Sequence, residues 1–207
     1  MTAFYIANKF DAQRVVDIRA TQEAVSINIL SLETQFDLMG SLSCLTLSDN
    51  PVLSEELNTL ASRLSVAEEN LGQDDAQVIS LKKQYSLLEI KDYLLMQHIS
   101  DKCAKFKPVY ILYFYSNKGD CPDCGKMGDV FTYLRETYPG LRVYSFDYHL
   151  DLSALRTLVT LRKINNEKGL PAFVVNNRAP VYGFKTLQEM QKLIPELKTL
   201  ATTTAVQ

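Results

Sequence analysis

The hydrophobic pattern of this 207-residue chain changes its period at Lys107-Pro108, and this change most limits the folds that the chain can adopt. Before that point apolar residues recur at every third or fourth position, which is the repeat of an amphipathic helix. After it, short β-branched and aromatic runs alternate with helical stretches, which is typical of a mixed α/β domain. We therefore predict a helical region over residues 1–107, an α/β domain over residues 108–200 and a frayed tail over residues 201–207.

The helical region contains two long apolar stripes. The first advances in alternating steps of three and four and consists of Val15, Ile18, Gln22, Val25, Ile29, Leu32, Phe36 and Met39. A repeat of this kind, kept over more than three heptads, is typical of a coiled-coil seam. The second stripe has the same spacing and consists of Leu53, Leu57, Leu60, Leu64, Ala67 and Leu71.

Turn and cap residues set the predicted boundaries of the later helices. Asn50-Pro51 has the pattern of an N-cap followed by proline at the first helical position. Gly72 is suited to end this helix. Asp74 is then the predicted N-cap of a third helix over about residues 75–106.

These helices can pack in more than one arrangement. The third helix is apolar around much of its girth between Leu87 and Ile99, so it needs neighbours on more than one side. A hairpin of long helices or a three-helix bundle provides them within one chain. A homodimer or a partner helix bound through residues 10–106 predicts the same periodicity. The net charge of −2 gives no reason to expect nucleic acid as a partner.

The second segment has the predicted element order β-α-β-α-β-β-α. Its strands are VYILYFY (109–115), LRVYSFDY (141–148), GLPAFVVNN (169–177) and APVYGF (179–184), and its helices lie near residues 125–138, 151–165 and 185–197. The first strand is a continuous apolar run, as in a strand buried on both faces. The first two strands should be parallel because a helix joins them. The last two should form a hairpin, since Asn176 and Asn177 tolerate the positive φ of a tight turn.

Two of the four cysteines, Cys121 and Cys124, lie three positions apart in the loop after the first strand. Thiol–disulfide exchange needs a thiolate and a second thiol that resolves the mixed disulfide. The amides and dipole at a helix N-terminus stabilise such a thiolate, and one helical turn brings the two sulfurs within bonding reach. We predict a redox pair with no cofactor besides its own disulfide.

Two other readings of the same spacing stay open. The sequence CPDCG also resembles one half of a zinc ribbon, but structural zinc needs four ligands, and the sequence has no second CxxC or CxxxH. We therefore expect no metal site. The third reading is a disulfide with a merely structural role.

The second segment resembles the thioredoxin superfamily over residues 108–200, about half of the chain. A CxxC lies just past the first strand, at the start of a helix. GLPAF opens the third strand, with Pro171 lying 47 positions after Cys124. Gly183 lies in the fourth strand, ahead of the last helix.

This resemblance implies a thioredoxin-like fold and a thiol-disulfide oxidoreductase that acts on protein thiols and disulfides. Cys121 would be the exposed nucleophile and Cys124 the resolving thiol. Pro171 would be cis and packed against the cysteine loop, with Leu170 offering its backbone to an extended peptide.

The chain departs from the thioredoxin pattern at several positions. No tryptophan precedes Cys121, and strand 109–115 contains no acid where thioredoxin has a buried aspartate. The family's N-terminal strand and helix are missing, unless the helical region replaces them. Asp120 and Asp123 flank Cys121 and would disfavour its thiolate, against the helix dipole and neighbouring lysines. The alternative hypothesis is therefore a non-catalytic interaction protein with a docking domain of this fold.

Two further features bear on the compartment. Cys44 and Cys103 are expected to be small apolar residues within helices. A bridge between them is the alternative, although no motif predicts it. The first residues, MTAFYIA, are apolar. If they are the remnant of a membrane anchor, the protein is tethered and extracytoplasmic; otherwise we expect it to be cytoplasmic.

Overall fold

The computed structural model describes residues 52–103 and 108–200, together with residues 30–31, 33–35 and 37–38. The chain divides into two compact units, Met1–Leu42 and Ser43–Gln207. The described residues of the first unit are helical. All eight residues of the predicted Val15–Met39 stripe lie outside the described residues, as do Cys44, the Asn50-Pro51 cap and the tail.

The second unit begins with two helices, α1 (Val52–Leu71) and α2 (Ala76–Lys102). α1 ends as predicted at Gly72, which has φ +85° and donates its N–H to the Glu68 carbonyl at 2.9 Å. The predicted cap of α2 was wrong by one residue. Asp75 rather than Asp74 is the N-cap, because its backbone is extended and its carboxylate accepts from the amides of Gln77 and Val78.

A four-stranded sheet forms the centre of this unit, in the order β2-β1-β3-β4. Its strands are β1 (Val109–Tyr115), β2 (Leu141–Asp147), β3 (Ala172–Val175) and β4 (Val181–Tyr182). The pairing of β1 with β2 is parallel, and β3 pairs antiparallel with both β1 and β4. The predicted parallel pair and hairpin are thus confirmed, and Asn176 has the expected positive φ, at +51°.

Three helices follow within the sheet region: α3 (Cys124–Thr137), α4 (Ser153–Leu161) and α5 (Leu187–Leu193). α4 and α5 are shorter than predicted. α4 begins only after Leu152, whose backbone is extended. α5 starts at a capping box formed by Thr186 and Glu189, and it ends before Pro195, which has no N–H with which to continue a helix.

The two faces of the sheet carry separate apolar clusters. On one face, side chains of β1 and β2 such as Phe114 and Phe146 pack with Tyr93 of α2 and Leu155 of α4. On the other face, β1 and β3 pack with side chains of α3 and α5. The compact unit that contains the sheet therefore also includes α1 and α2.

Helix α2 contacts α1, β2 and α4, so it has the several neighbours that its apolar girth requires. Toward the edge strand β2 it presents carboxylates. Glu89 Oε1 accepts from the Ser145 amide at 2.9 Å. Asp92 Oδ2 accepts from Arg142 at 2.9 Å and from the Tyr144 hydroxyl at 2.6 Å. An edge strand exposes unpaired backbone groups, and here the helix supplies a partner for one of them.

Among the residues that the structure describes, no helix combines the length and the apolar character needed to span a membrane.

Candidate active site

Cys121 and Cys124 form a disulfide, with their Cα atoms 5.4 Å apart. The central strand β1 ends at Tyr115, a short loop follows, and α3 begins at Cys124. The Cys124 amide donates to the Cys121 carbonyl at 3.3 Å, which closes the turn that leads into the helix. The sequence prediction of a sulfur pair at a strand-to-helix junction is thus confirmed.

The two sulfurs differ in exposure. Cys124 is 7% exposed and belongs to the apolar cluster that contains Phe114 and Phe146. Cys121 packs against the edge of that cluster and is partly exposed. Cys121 is therefore the more accessible of the two sulfurs.

Tyr113 of β1 contacts the backbone of the buried cysteine, Cys124. The Tyr113 hydroxyl donates to the Cys124 carbonyl at 2.6 Å, and its ring packs edge-on against Phe131 of α3. Burial raises the pKa of Tyr113, and Asp129 adds to the effect, so the phenol stays neutral and keeps its proton for this bond. The sequence motif did not predict this contact, although the alternation of side chains along β1 places Tyr113 on the face covered by α3.

Both carboxylates beside Cys121 have cationic or polar partners. Asp120 Oδ2 lies 2.8 Å from His149 Nε2, and Asp123 Oδ1 lies 2.9 Å from Lys126 Nζ. The pKa of Asp120 is lowered, first by a hydrogen bond with Ser116 and then by the one with His149. Each of the two acids therefore has a local partner that can offset its charge, and for Asp123 that partner is one of the neighbouring lysines.

The Leu170–Pro171 peptide bond is cis, as expected from the resemblance. Ala172, the next residue, pairs with Phe114 near the end of β1, so Pro171 lies at the end of the sheet from which the cysteine loop emerges. Its carbonyl accepts from the Gly183 amide at 2.8 Å. Leu170 is buried in the same apolar cluster as Cys124. The fold thus brings the four predicted site residues to one end of the sheet.

The remaining cysteines and the zinc reading can also be compared with the structure. Within the described part of the chain, no three His, Cys, Asp or Glu side chains are grouped so that they could hold a metal ion. Cys103 is buried and disulfide-bonded, which corrects the expectation of a simple apolar residue. Cys44 lies outside the described residues.

No protein-family model matches the chain, and neither a curated protein nor a solved structure matches it.

Proposed function

We propose that this protein is a thiol-disulfide oxidoreductase of thioredoxin-like fold that acts on protein thiols and disulfides through Cys121 and Cys124. One observation carries the proposal. The two cysteines form a disulfide at the N-terminus of α3, with the first sulfur partly exposed and the second buried. This is the asymmetry that a nucleophile and a resolving thiol require.

The topology of the sheet supports the proposal. A thioredoxin-like domain is expected to have a parallel pair, an antiparallel hairpin and a cis-proline before the third strand, and each is present here. The edge of β2 is covered by α2 and its buried carboxylates Glu89 and Asp92. In this proposal α2 replaces the missing strand.

The reaction follows from the two thiols of the reduced form. The Cys121 thiolate attacks one sulfur of a substrate disulfide, the substrate S–S bond breaks, and the leaving sulfur takes up a proton. Cys124 loses its proton and attacks the Cys121 sulfur, which releases the second substrate thiolate and forms the Cys121–Cys124 disulfide. Two electrons pass to the substrate, and an external dithiol restores the pair. The reverse sequence oxidises a substrate dithiol.

In this proposal, Leu170 and Pro171 form the substrate-binding side of the site. They precede β3 at the end of the sheet from which Cys121 also emerges. An extended peptide bound along this segment would have its sulfur next to the exposed side of the disulfide. No cofactor is needed besides the disulfide itself.

Catalysed reduction of insulin by dithiothreitol tests the proposal. The wild-type protein should accelerate precipitation of the insulin chains, and Cys121→Ser should reduce the rate to that of dithiothreitol alone, because the attacking thiolate is lost. An unchanged rate in Cys121→Ser would refute the assignment of the nucleophile.

The Cys124→Ser variant provides a second readout of the same step. Without the resolving thiol, a mixed disulfide between Cys121 and the substrate should accumulate and be visible on a non-reducing gel. The matched control is the double variant Cys121→Ser/Cys124→Ser, which should trap no substrate at this site.

A second candidate is an interaction protein in which the disulfide is structural. Leu87 and Leu94, seven residues apart on α2, are 41% and 53% exposed. They could contact a partner helix or a second copy of the chain, as the periodicity of residues 10–106 also suggests. The reduction potential of the cysteine pair separates this candidate from the enzyme.

A further inference from the structure

We propose that His149 is a positioning residue of the redox site: it holds the Asp120 carboxylate and so compensates the charge next to Cys121. This inference rests on the proposed function and extends it to a residue outside the cysteine motif. His149 comes from the turn after β2, 29 residues from Asp120 along the chain.

The turn that carries His149 is anchored to both neighbouring strands. The amide of Tyr148 donates to the Tyr115 carbonyl at the end of β1, at 2.8 Å. The amide of His149 donates to Asp147 Oδ1 at the end of β2, at 3.1 Å. The imidazole is half-buried, and its edge-on contact with the Tyr148 ring has a centroid distance of 5.4 Å. These contacts therefore position the imidazole independently of its contact with Asp120.

The loop before Cys121 is anchored at its other end by Ser116. The Ser116 hydroxyl accepts from the Lys118 amide at 3.1 Å, and it also hydrogen-bonds to Asp120. Asp120 is thus hydrogen-bonded to Ser116 of its own loop and to His149 of the facing turn. The residue directly before the proposed nucleophile is fixed from both sides.

The other carboxylates that surround this turn also lie near cations. Asp147 lies 3.7 Å from Lys82 of α2, which is closer to Glu68, at 2.6 Å. Asp123 pairs with Lys126 of α3, and Asp151 pairs with Arg156 of α4 and lies near Lys83 of α2. Lys118 is exposed on the loop itself. Asp120 itself contacts the Ser116 hydroxyl and the His149 imidazole, and of these two groups only the imidazole can carry a positive charge.

The charge of the imidazole then affects the stability of the Cys121 thiolate. When the imidazole is protonated, the pair with Asp120 has no net charge. When it is neutral, the Asp120 carboxylate disfavours an anion on the neighbouring residue. Removing His149 should therefore make Cys121 a weaker nucleophile, and removing the Asp120 charge should make it a stronger one.

A double-mutant cycle on the reduced protein tests this coupling. The rate of Cys121 alkylation by iodoacetamide is measured against pH, with the modified site assigned by mass spectrometry. His149→Gln should lower the rate about threefold below the titration midpoint of the thiol, the effect of one nearby charge in a water-like dielectric. Asp120→Asn should raise the rate, and His149→Gln should have little effect when it is combined with Asp120→Asn. The control is His98→Gln, an exposed histidine of α2, which should change nothing.

The result that overturns the inference is an unchanged rate in His149→Gln, or an equal loss in both backgrounds, since the effect would then not pass through Asp120. Alkylation needs no turnover, so the cycle is read independently of the insulin assay. If the protein reduces insulin but the double-mutant cycle shows no coupling, the role of His149 is refuted and the proposed enzyme is not. If the cycle shows coupling but the protein does not reduce insulin, the coupling of His149 to Cys121 is supported and the proposed enzyme is refuted.

Discussion

Glu89 is the buried acid whose protonation bears most directly on stability. Its side chain is 2% exposed between α2 and β2, and it accepts the Ser145 amide. Burial raises the pKa of Glu89 well above its ordinary value. Between the ordinary and the raised pKa, the folded protein holds a proton that the unfolded chain releases. Stability must therefore fall as pH rises through that range.

Replacing this acid with its amide removes the cost of keeping it protonated. Glu89→Gln keeps a carbonyl oxygen for the Ser145 amide, so the two proteins should be similarly stable at about pH 4, where glutamic acid is largely protonated in either state. At about pH 8 the variant should be more stable by at least about 1 kcal/mol. The free energy of unfolding in urea, measured across this pH range, checks the prediction.

Glu69→Gln is the matched control, because Glu69 is exposed on α1. It should show no such gain with rising pH. Equal pH dependence in the two variants would mean that Glu89 is ionised in the folded protein.

At the scale of elements, the contact of α2 with the edge strand β2 is unusually polar. Asp92 is fully buried, and a single oxygen of its carboxylate accepts from both Arg142 and Tyr144. A buried charge is tolerated only when it is paired, and removing one partner leaves the others buried without a partner. The attachment of α2 to the sheet should therefore depend strongly on this carboxylate.

Asp92→Ala should lower the free energy of unfolding by about 2 kcal/mol, because the Tyr144 hydroxyl and the half-buried Arg142 lose their acceptor. Urea denaturation measures the loss. Asp101→Ala, which changes an exposed acid in the last turn of the same helix, should cost far less. Equal losses would show that α2 is not held to β2 by this carboxylate.

Local patterns predicted the elements better than their assembly. The bounds of β1 follow from its apolar run, and the end of α1 follows from Gly72. The packing of α2 along β2 could not be predicted, since Asp92 and Arg142 are 50 residues apart and a periodic stripe does not specify polar partners.

The candidate site divides in the same way. Spacing alone identified Cys121 and Cys124, and the resemblance added Leu170 and Pro171. The contact of His149 with Asp120 bridges 29 residues and depends on how the turn after β2 meets the cysteine loop. Its one sequence signal was an acid directly before Cys121.

At the scale of the whole molecule, the disulfide is coupled to folding through its reduction potential. A structural disulfide strongly stabilises the folded protein, so it is hard to reduce and its potential lies below about −300 mV. A catalytic pair exchanges with its substrates, and thioredoxin-like pairs span about −270 to −120 mV. The potential therefore reports which of the two candidate functions the fold supports.

The most direct measurement is equilibration of the whole protein with glutathione and dithiothreitol redox buffers, followed by mass-spectrometric quantification of the Cys121–Cys124 disulfide. This pair must be quantified separately, because Cys103 is also disulfide-bonded. For an oxidoreductase we expect a potential between about −270 and −120 mV. A potential below about −300 mV would contradict the proposed enzyme and favour an interaction protein with a structural disulfide.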